Sequence, residues 1–261
     1  MSEISHPGDL LLLFLTAIPA GAMNALAGGG TVLTFPALLA AGVSPVAANA
    51  TNTVALVPGS LSAGWGFRRE LGSHSSRVLT ALVVTSLAGG LVGAWLVVEA
   101  GDALFRVLVP WLILGATALF IVQEPLRRWR ERRSAVTWPR GLEEVNVWVL
   151  AAAQFVVAVY GGFFGAGMGI LMLAELGLVR LSNIHQMNGL KNFAAVCING
   201  VAAVYFAVGR HVHWPLAFLM AVGAVLGGYA GAWFAQRIGE AMVRWVNIVI
   251  GLGIGVYMLV K

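Results

Sequence analysis

The chain has 261 residues, 59% of them hydrophobic and only 10% charged, with a mean hydropathy of +0.86. Soluble domains carry about 25% charged residues, so this balance excludes an ordinary water-soluble enzyme. The net charge of +5 does not call for nucleic acid, because Arg127, Arg128, Arg130, Arg132, Arg133 and Arg140 crowd one short stretch, the usual mark of a cytoplasmic loop.

Taken in chain order, the elements are uncharged runs. Leu10 to Phe67 contains no Asp, Glu, Lys or Arg, and Val78–Val98, Val107–Gln123, Val145–Ala174, Asn192–Gly209, His211–Gln236 and Trp245–Val260 follow. A helix crosses the hydrocarbon core with roughly 20 apolar residues, so the chain reads as an all-α polytopic membrane protein. The predicted spans are Leu10–Ala27, Ser44–Phe67, Val78–Val98, Ala103–Gln123, Val145–Phe163, Ser182–Gly209, Trp214–Gln236 and Glu240–Val260, about eight transmembrane helices. The N-terminus has no basic n-region with a short apolar core and cleavage site, so the first span is expected to be retained.

An internal repeat divides the chain. "GGLVGAW" at Gly89–Trp95 recurs as "GGYAGAW" at Gly227–Trp233, 138 residues later, and the same offset sets Ala103 on Ala241, Arg106 on Arg244 and Gly115 on Gly253. With one residue of slippage, Gly28–Gly30 meets "GGFFGAGMG" at Gly161–Gly169, and Asn49 meets Asn188. The expectation is a 4+4 duplication: a first four-helix repeat at 1–124, an arginine-rich cytoplasmic linker at 125–144, and a second repeat at 145–261. Arg68, Arg69, Arg77, the arginine cluster, Arg210 and Lys261 all follow even-numbered spans. Eight crossings with both termini cytoplasmic and parallel halves satisfy that pattern. Full crossing by the segment Gly28–Gly42 would instead give five passes per half and inverted halves.

That segment is the surplus left after two spans are drawn from the first run. It is too short to cross comfortably, and with its counterpart Gly165–Val179 it reads as a short or re-entrant piece set off by a glycine break. Irregular backbone at membrane depth is tolerated only where protein buries it or water reaches it. Paired breaks in corresponding places of two repeats point to a transporter's binding site. A helix that restarts after Gly28, Gly29 and Gly30, or after Gly165 and Gly167, presents unpaired N–H groups suited to a small oxyanion, and Thr31 and Thr34 add hydroxyls. Close helix packing is the other use of such glycines, and the better one for Gly89–Trp95 and Gly227–Trp233.

Lys191 is the charge that needs an explanation. It follows Ser182 by nine residues, about 13 Å into the bilayer core. A charge at that depth costs roughly 2.5–3.5 kcal/mol on insertion scales. An ion pair with Glu175 or an anionic substrate would offset it. Its repeat counterpart is Asn52, in a turn where Asn49, Thr51, Asn52 and Thr53 supply neutral polar groups; Asn188 and Asn192 flank Lys191. Glu175 and Lys191 are the proton-coupling candidates, Glu175 alternatively pairing with Arg180. His185 reads as a packing or gating residue, His211 and His213 as interfacial. Cys197 is alone, so no disulfide framework or cysteine metal site is expected. No catalytic constellation, metal set, nucleotide motif or cofactor site emerges.

"AGGGTVLTFPALLAAGVSPVAANATNT", the Arg68–Arg69 pair, "GFFGAGMG" and "NGLKN" resemble the sulfite exporter TauE/SafE family, also called the toluene-sulfonate uptake permease family. The likeness runs over nearly the whole chain. It implies a secondary permease of the bacterial inner membrane for sulfur-containing anions such as sulfite, sulfoacetate or other organosulfonates. It also implies that Gly28–Gly30, Asn49–Thr53, Asn188, Lys191 and Asn192 carry the site. Expected partners are that small anion and membrane lipid, with no nucleic acid; a homo-oligomer is compatible. An anion channel and a non-transporting assembly subunit are the alternatives to transport.

Overall fold

The computed structural model describes residues 6–26, 29–66, 76–134, 146–178, 184–238 and 240–260. Among them every regular element is a helix. They are α1 (Pro7–Leu26), α2 (Thr31–Ala40), α3 (Pro45–Gly66), α4 (Ser76–Ser134), α5 (Val147–Phe163), α6 (Met168–Leu178), α7 (Ile184–Val208), α8 (Trp214–Ile238) and α9 (Glu240–Val260). Three apolar windows, Pro7–Asn24, Ser76–Val122 and Gly189–Val208, are long enough by themselves to cross a membrane. Large apolar side chains such as Leu15, Trp111, Val156, Phe218 and Val249 stand exposed around the bundle, as lipid-facing residues do. The protein is a multi-pass membrane protein.

Helix ends follow local chemistry. Asn146 caps α5, its Oδ1 accepting from Trp148 N–H at 3.1 Å and Val149 N–H at 3.3 Å. The expected third and fourth spans are the two limbs of α4, which meet at Gly101 (φ 66°, ψ 172°), a conformation glycine alone holds cheaply. Beside that kink, Asp102 Oδ1 accepts from Val46 N–H at 2.8 Å and so caps α3 from outside its own chain segment. The second limb stays helical to Ser134, taking in residues expected to be linker.

Chain direction follows from close approaches at glycines. Gly223 lies against Phe14 and Ala17 while Gly227 lies against Ile18, so α8 runs parallel to α1. Gly89 lies against Phe155 and Ala158, and Gly93 against Val159 and Phe163, so α5 runs parallel to the first limb of α4. Gly251 meets Thr117 and Gly255 meets Ile113 and Leu114, so α9 is antiparallel to the second limb. Small residues let these backbones touch, as the packing use of Gly89–Trp95 and Gly227–Trp233 requires.

The short helix α2 sets the sense of the chain between α1 and α3. A Cβ on Gly30 would sit 2.5 Å from Ala20 O, so α2 begins part-way down α1. Its far end, Leu38 and Ala41, shares a buried cluster with Leu13 and Ala17 near the start of α1 and with Val43 and Val46 at the start of α3. The segment 29–44 therefore returns the chain to the face where α1 began, here called the proximal face. Followed in this sense, the end of α4 lies at the distal face and the end of α9 at the proximal one. The α3 start confirms the sense of α7: Thr51 Oγ1 accepts at 2.9 Å from the N–H of His213, just beyond the end of α7, so α3 and α7 are antiparallel. Ten residues of helix span about 15 Å, half the core.

A second buried cluster marks the distal face. Val78 and Leu82 of α4, Leu150 of α5, Leu176 of α6 and Met187 and Leu190 of α7 pack there.

Candidate functional site

The site is built where α2, α3 and the α5–α6 junction meet. Asn52 donates Nδ2–H to Thr31 Oγ1 at 3.2 Å, and Thr34 Oγ1 donates to Asn52 Oδ1 at 2.5 Å, so the first turn of α2 is tied to the middle of α3. Asn49, one turn earlier, donates Nδ2–H to Phe163 O at 3.1 Å, the last residue of α5 before its break. Both breaks are thus fastened to a single helix. Asn49 and Asn52 are 1% exposed, and Asn49 Oδ1 has no hydrogen-bond partner among the described residues. Thr31 accepts from Asn52 and keeps its own hydroxyl hydrogen to donate.

At the second break, Gly165 (φ 75°) and Gly167 (φ 73°) take the left-handed conformation that turns the chain between α5 and α6. Tyr160 Oη donates to Ala166 O at 2.5 Å and holds the turn. Phe164 packs edge-on to Phe35 of α2, ring centroids 5.3 Å apart, so the turn abuts α2 directly.

The helix starts offer fewer bare amides than the sequence leads one to expect. Val32 N–H bonds Gly29 O at 3.1 Å and Leu33 N–H bonds Gly30 O at 3.1 Å; Met168 N–H bonds Gly165 O and Ile170 N–H bonds Gly167 O. These tight turns use part of each helix start internally.

The other expected site residues divide. Gly29 and Gly30 are buried beside α1, whereas Gly28 lies outside the described residues. Thr51 faces away, toward the α7–α8 connection, and Thr53 Oγ1 donates to Asn49 O within its own helix. Lys191 is buried on α7 at 7% exposure, with Asn192 next to it. Asn188 lies on α7, one turn nearer the distal face. Glu175 is buried on α6, and neither carboxylate oxygen has a hydrogen-bond partner among the described residues. A hydrogen-bonded pair with Lys191 is therefore not made; Arg180, the other partner considered, lies outside the described residues. Sequence reasoning missed the Phe163 carbonyl, which no side-chain pattern announces, and the buried pair Gln154–Ser86, joined at 2.8 Å.

The family model for "Sulfite exporter TauE/SafE" matches residues 13–258. The chain belongs to the sulfite exporter TauE/SafE family. Curated TauE/SafE-like relatives include a "Probable membrane transporter protein" of Haemophilus influenzae, 28% identical over 93% of this chain and 91% of its own length. The "Probable membrane transporter protein YfcA" of Escherichia coli K12 is 29% identical over 92% of this chain and 85% of its own. The "Probable membrane transporter protein ORF9" of a Sinorhizobium species is 27% identical over 96% and 92%. No solved structure gives a significant match.

Proposed function

We propose that the chain is a secondary transporter of small anions, sulfite or an organosulfonate such as sulfoacetate, in the bacterial inner membrane, coupled to protons. The observation that carries this reading is the bond from Asn49 to Phe163 O, with Asn52 held to Thr31 and Thr34: two helix breaks converge on one polar turn. Converging half-helices are how transporters place a solute near the midplane. Lys191, buried on the helix antiparallel to α3, supplies the positive charge for an anion, and Glu175 supplies a titratable carboxyl. The family and the names of its curated members support transport over catalysis.

The halves are read as an inverted duplication of five segments each. Ile113 and Gly251 correspond in the repeat, as do Thr117 and Gly255, each pair 138 residues apart. Gly251 touches Thr117, and Gly255 touches Ile113. A residue of one half meeting the counterpart of its partner, and the reverse, is the signature of a two-fold axis. With α4 and α9 antiparallel, that axis lies in the membrane plane. Arg77 and the arginines at 127–133 sit at the two distal ends of α4, the side read as cytoplasmic. The start of α1 and the end of α9 come out on the opposite face.

Anion flux into proteoliposomes, over sulfite, thiosulfate, sulfoacetate and acetate, tests the function. Wild type should move one sulfur anion selectively, and Lys191→Met should cut that flux at least about tenfold, as losing a hydrogen bond to a charged group does. Equal flux in wild type and Lys191→Met, or no flux of any anion, rejects the assignment.

A further inference from the structure

Among the described residues, the buried side-chain atoms without a hydrogen-bond partner are Asn49 Oδ1, Gln154 Oε1, both oxygens of Glu175 and His213 Nδ1. Two of these residues lie at one depth. α5 and α6 form an antiparallel hairpin, with Phe164 N–H and Gly165 N–H both donating to Tyr160 O. Met168 Sδ lies against Gly161. Seven residues back along α5 from Gly161 is Gln154, and seven residues on along α6 from Met168 is Glu175. Each is about 10 Å from that common level. Beyond them Leu150 and Leu176 belong to one packed cluster, which also takes in Val157 and Ala158 on the stripe of Gln154, and Met168 and Met172 on the stripe of Glu175.

Gln154 is wholly buried and its Nε2 donates to Ser86 Oγ at 2.8 Å, which leaves Oε1 for something else. Acceptors with no donor between them are costly in an apolar interior. A proton on the carboxyl removes that mismatch. We infer that Gln154, fixed by Ser86 of α4, is the partner against which Glu175 takes up and releases the coupling proton. The inference rests on the proton-coupled reading above.

The chemistry suits both states of the acid. The amide oxygen accepts from a neutral carboxyl; turned over, the amide N–H donates to a carboxylate, and the Ser86 hydroxyl changes between acceptor and donor to match. The bond made and broken is the O–H of Glu175, its proton drawn from water and returned to water, with nothing oxidised. Other ionisable side chains among the described residues lie on the helices packed against α6. On α5, Tyr160 is spent on Ala166 O at the far end of the hairpin. On α7 there are Lys191, buried, Cys197, half-buried, and His185 in the first turn. On α4, Arg77, Glu99, Asp102 and Arg106 are exposed and Glu124 is half-buried.

The test uses the full-length chain in proteoliposomes, with sulfite as the probe and Gln154→Met, Ser86→Ala and Glu175→Gln as variants. An infrared difference spectrum between high and low pH identifies the protonated-carboxyl carbonyl band of Glu175 by its loss in Glu175→Gln. That band should shift in Gln154→Met and, less, in Ser86→Ala. Flux driven by a pH gradient should fall about tenfold in Gln154→Met, the effect of one hydrogen bond to a charged group, while sulfite exchange without a gradient persists. An unmoved band, or gradient-driven flux at the wild-type level in Gln154→Met, overturns the pairing; Ser86→Ala gives the same readout if the methionine variant does not fold. Wild-type sulfite flux indifferent to the gradient overturns the proton-coupled reading instead, and the infrared shift then still decides the pairing.

Discussion

Asn52 and Thr51 are neighbours with opposite fates. The hydroxyl of Thr51 is occupied by the N–H of His213, whereas Asn52 links α2 to α3 through Thr31 and Thr34. Interhelical hydrogen bonds in membranes average about 0.6 kcal/mol, so Asn52→Ala should lower stability by only about 1 kcal/mol. It should weaken anion binding much more, because the first turn of α2 loses its tether; anion-dependent thermal protection measures both. Thr51→Val should leave that protection at the wild-type level. Nothing in the five-residue stretch Asn49–Thr53 distinguishes these roles in advance, since Asn49, Thr51, Asn52 and Thr53 all carry polar side chains at similar depth. Lys191 was legible because a lone charge in an apolar run is anomalous; Gln154 was not, because an uncharged amide breaks no run. Asp102 gives a separate expectation: Asp102→Ala removes the cap on Val46 N–H and should cost about 1 kcal/mol in thermal unfolding without altering anion selectivity.

Helix boundaries were largely readable, because charges and glycines punctuate the chain where the helices end; α9 occupies the span expected for it, Glu240–Val260. Direction was harder. A ten-residue helix looks too short to cross, and only the approach of Gly30 to Ala20 shows that α2 starts deep and completes the return. The second break makes a graded prediction. Gly165 and Gly167 share a left-handed φ, which costs a residue bearing a side chain about 1–2 kcal/mol. A Cβ at Gly167 meets Leu119 Cδ1 at an ordinary 3.5 Å, but at Gly165 it meets Gly161 O at 2.8 Å. Thermal scans should therefore rank Gly165→Ala as more damaging than Gly167→Ala, and equal losses would mean that the turn rearranges.

Across the whole molecule, the inverted five-segment reading proposed above puts the start of α1 and the end of α9 on the face opposite the arginines. Labelling checks this in a Cys197→Ser background. A cysteine at Gly8, exposed on the proximal face with nothing within 4 Å of its Cβ, should react with an impermeant maleimide in intact cells. One at Ser76, exposed at the start of α4, should react only after permeabilisation. The reverse pattern would place the arginines outside and reject the orientation proposed here.

The pairing of α1 with α8 also bears on biogenesis. Gly21 abuts Ala224 O, and Gly227 abuts Ile18 O, so the surface that α1 must cover is synthesised only near the end of translation. At roughly 5–20 residues per second, the ribosome needs on the order of ten to forty seconds to reach it. Until then the first helix waits in lipid or beside the insertion machinery with its partner unmade. A nascent chain stalled before α8 is thus an orphan for quality-control proteases, however well its earlier helices have inserted.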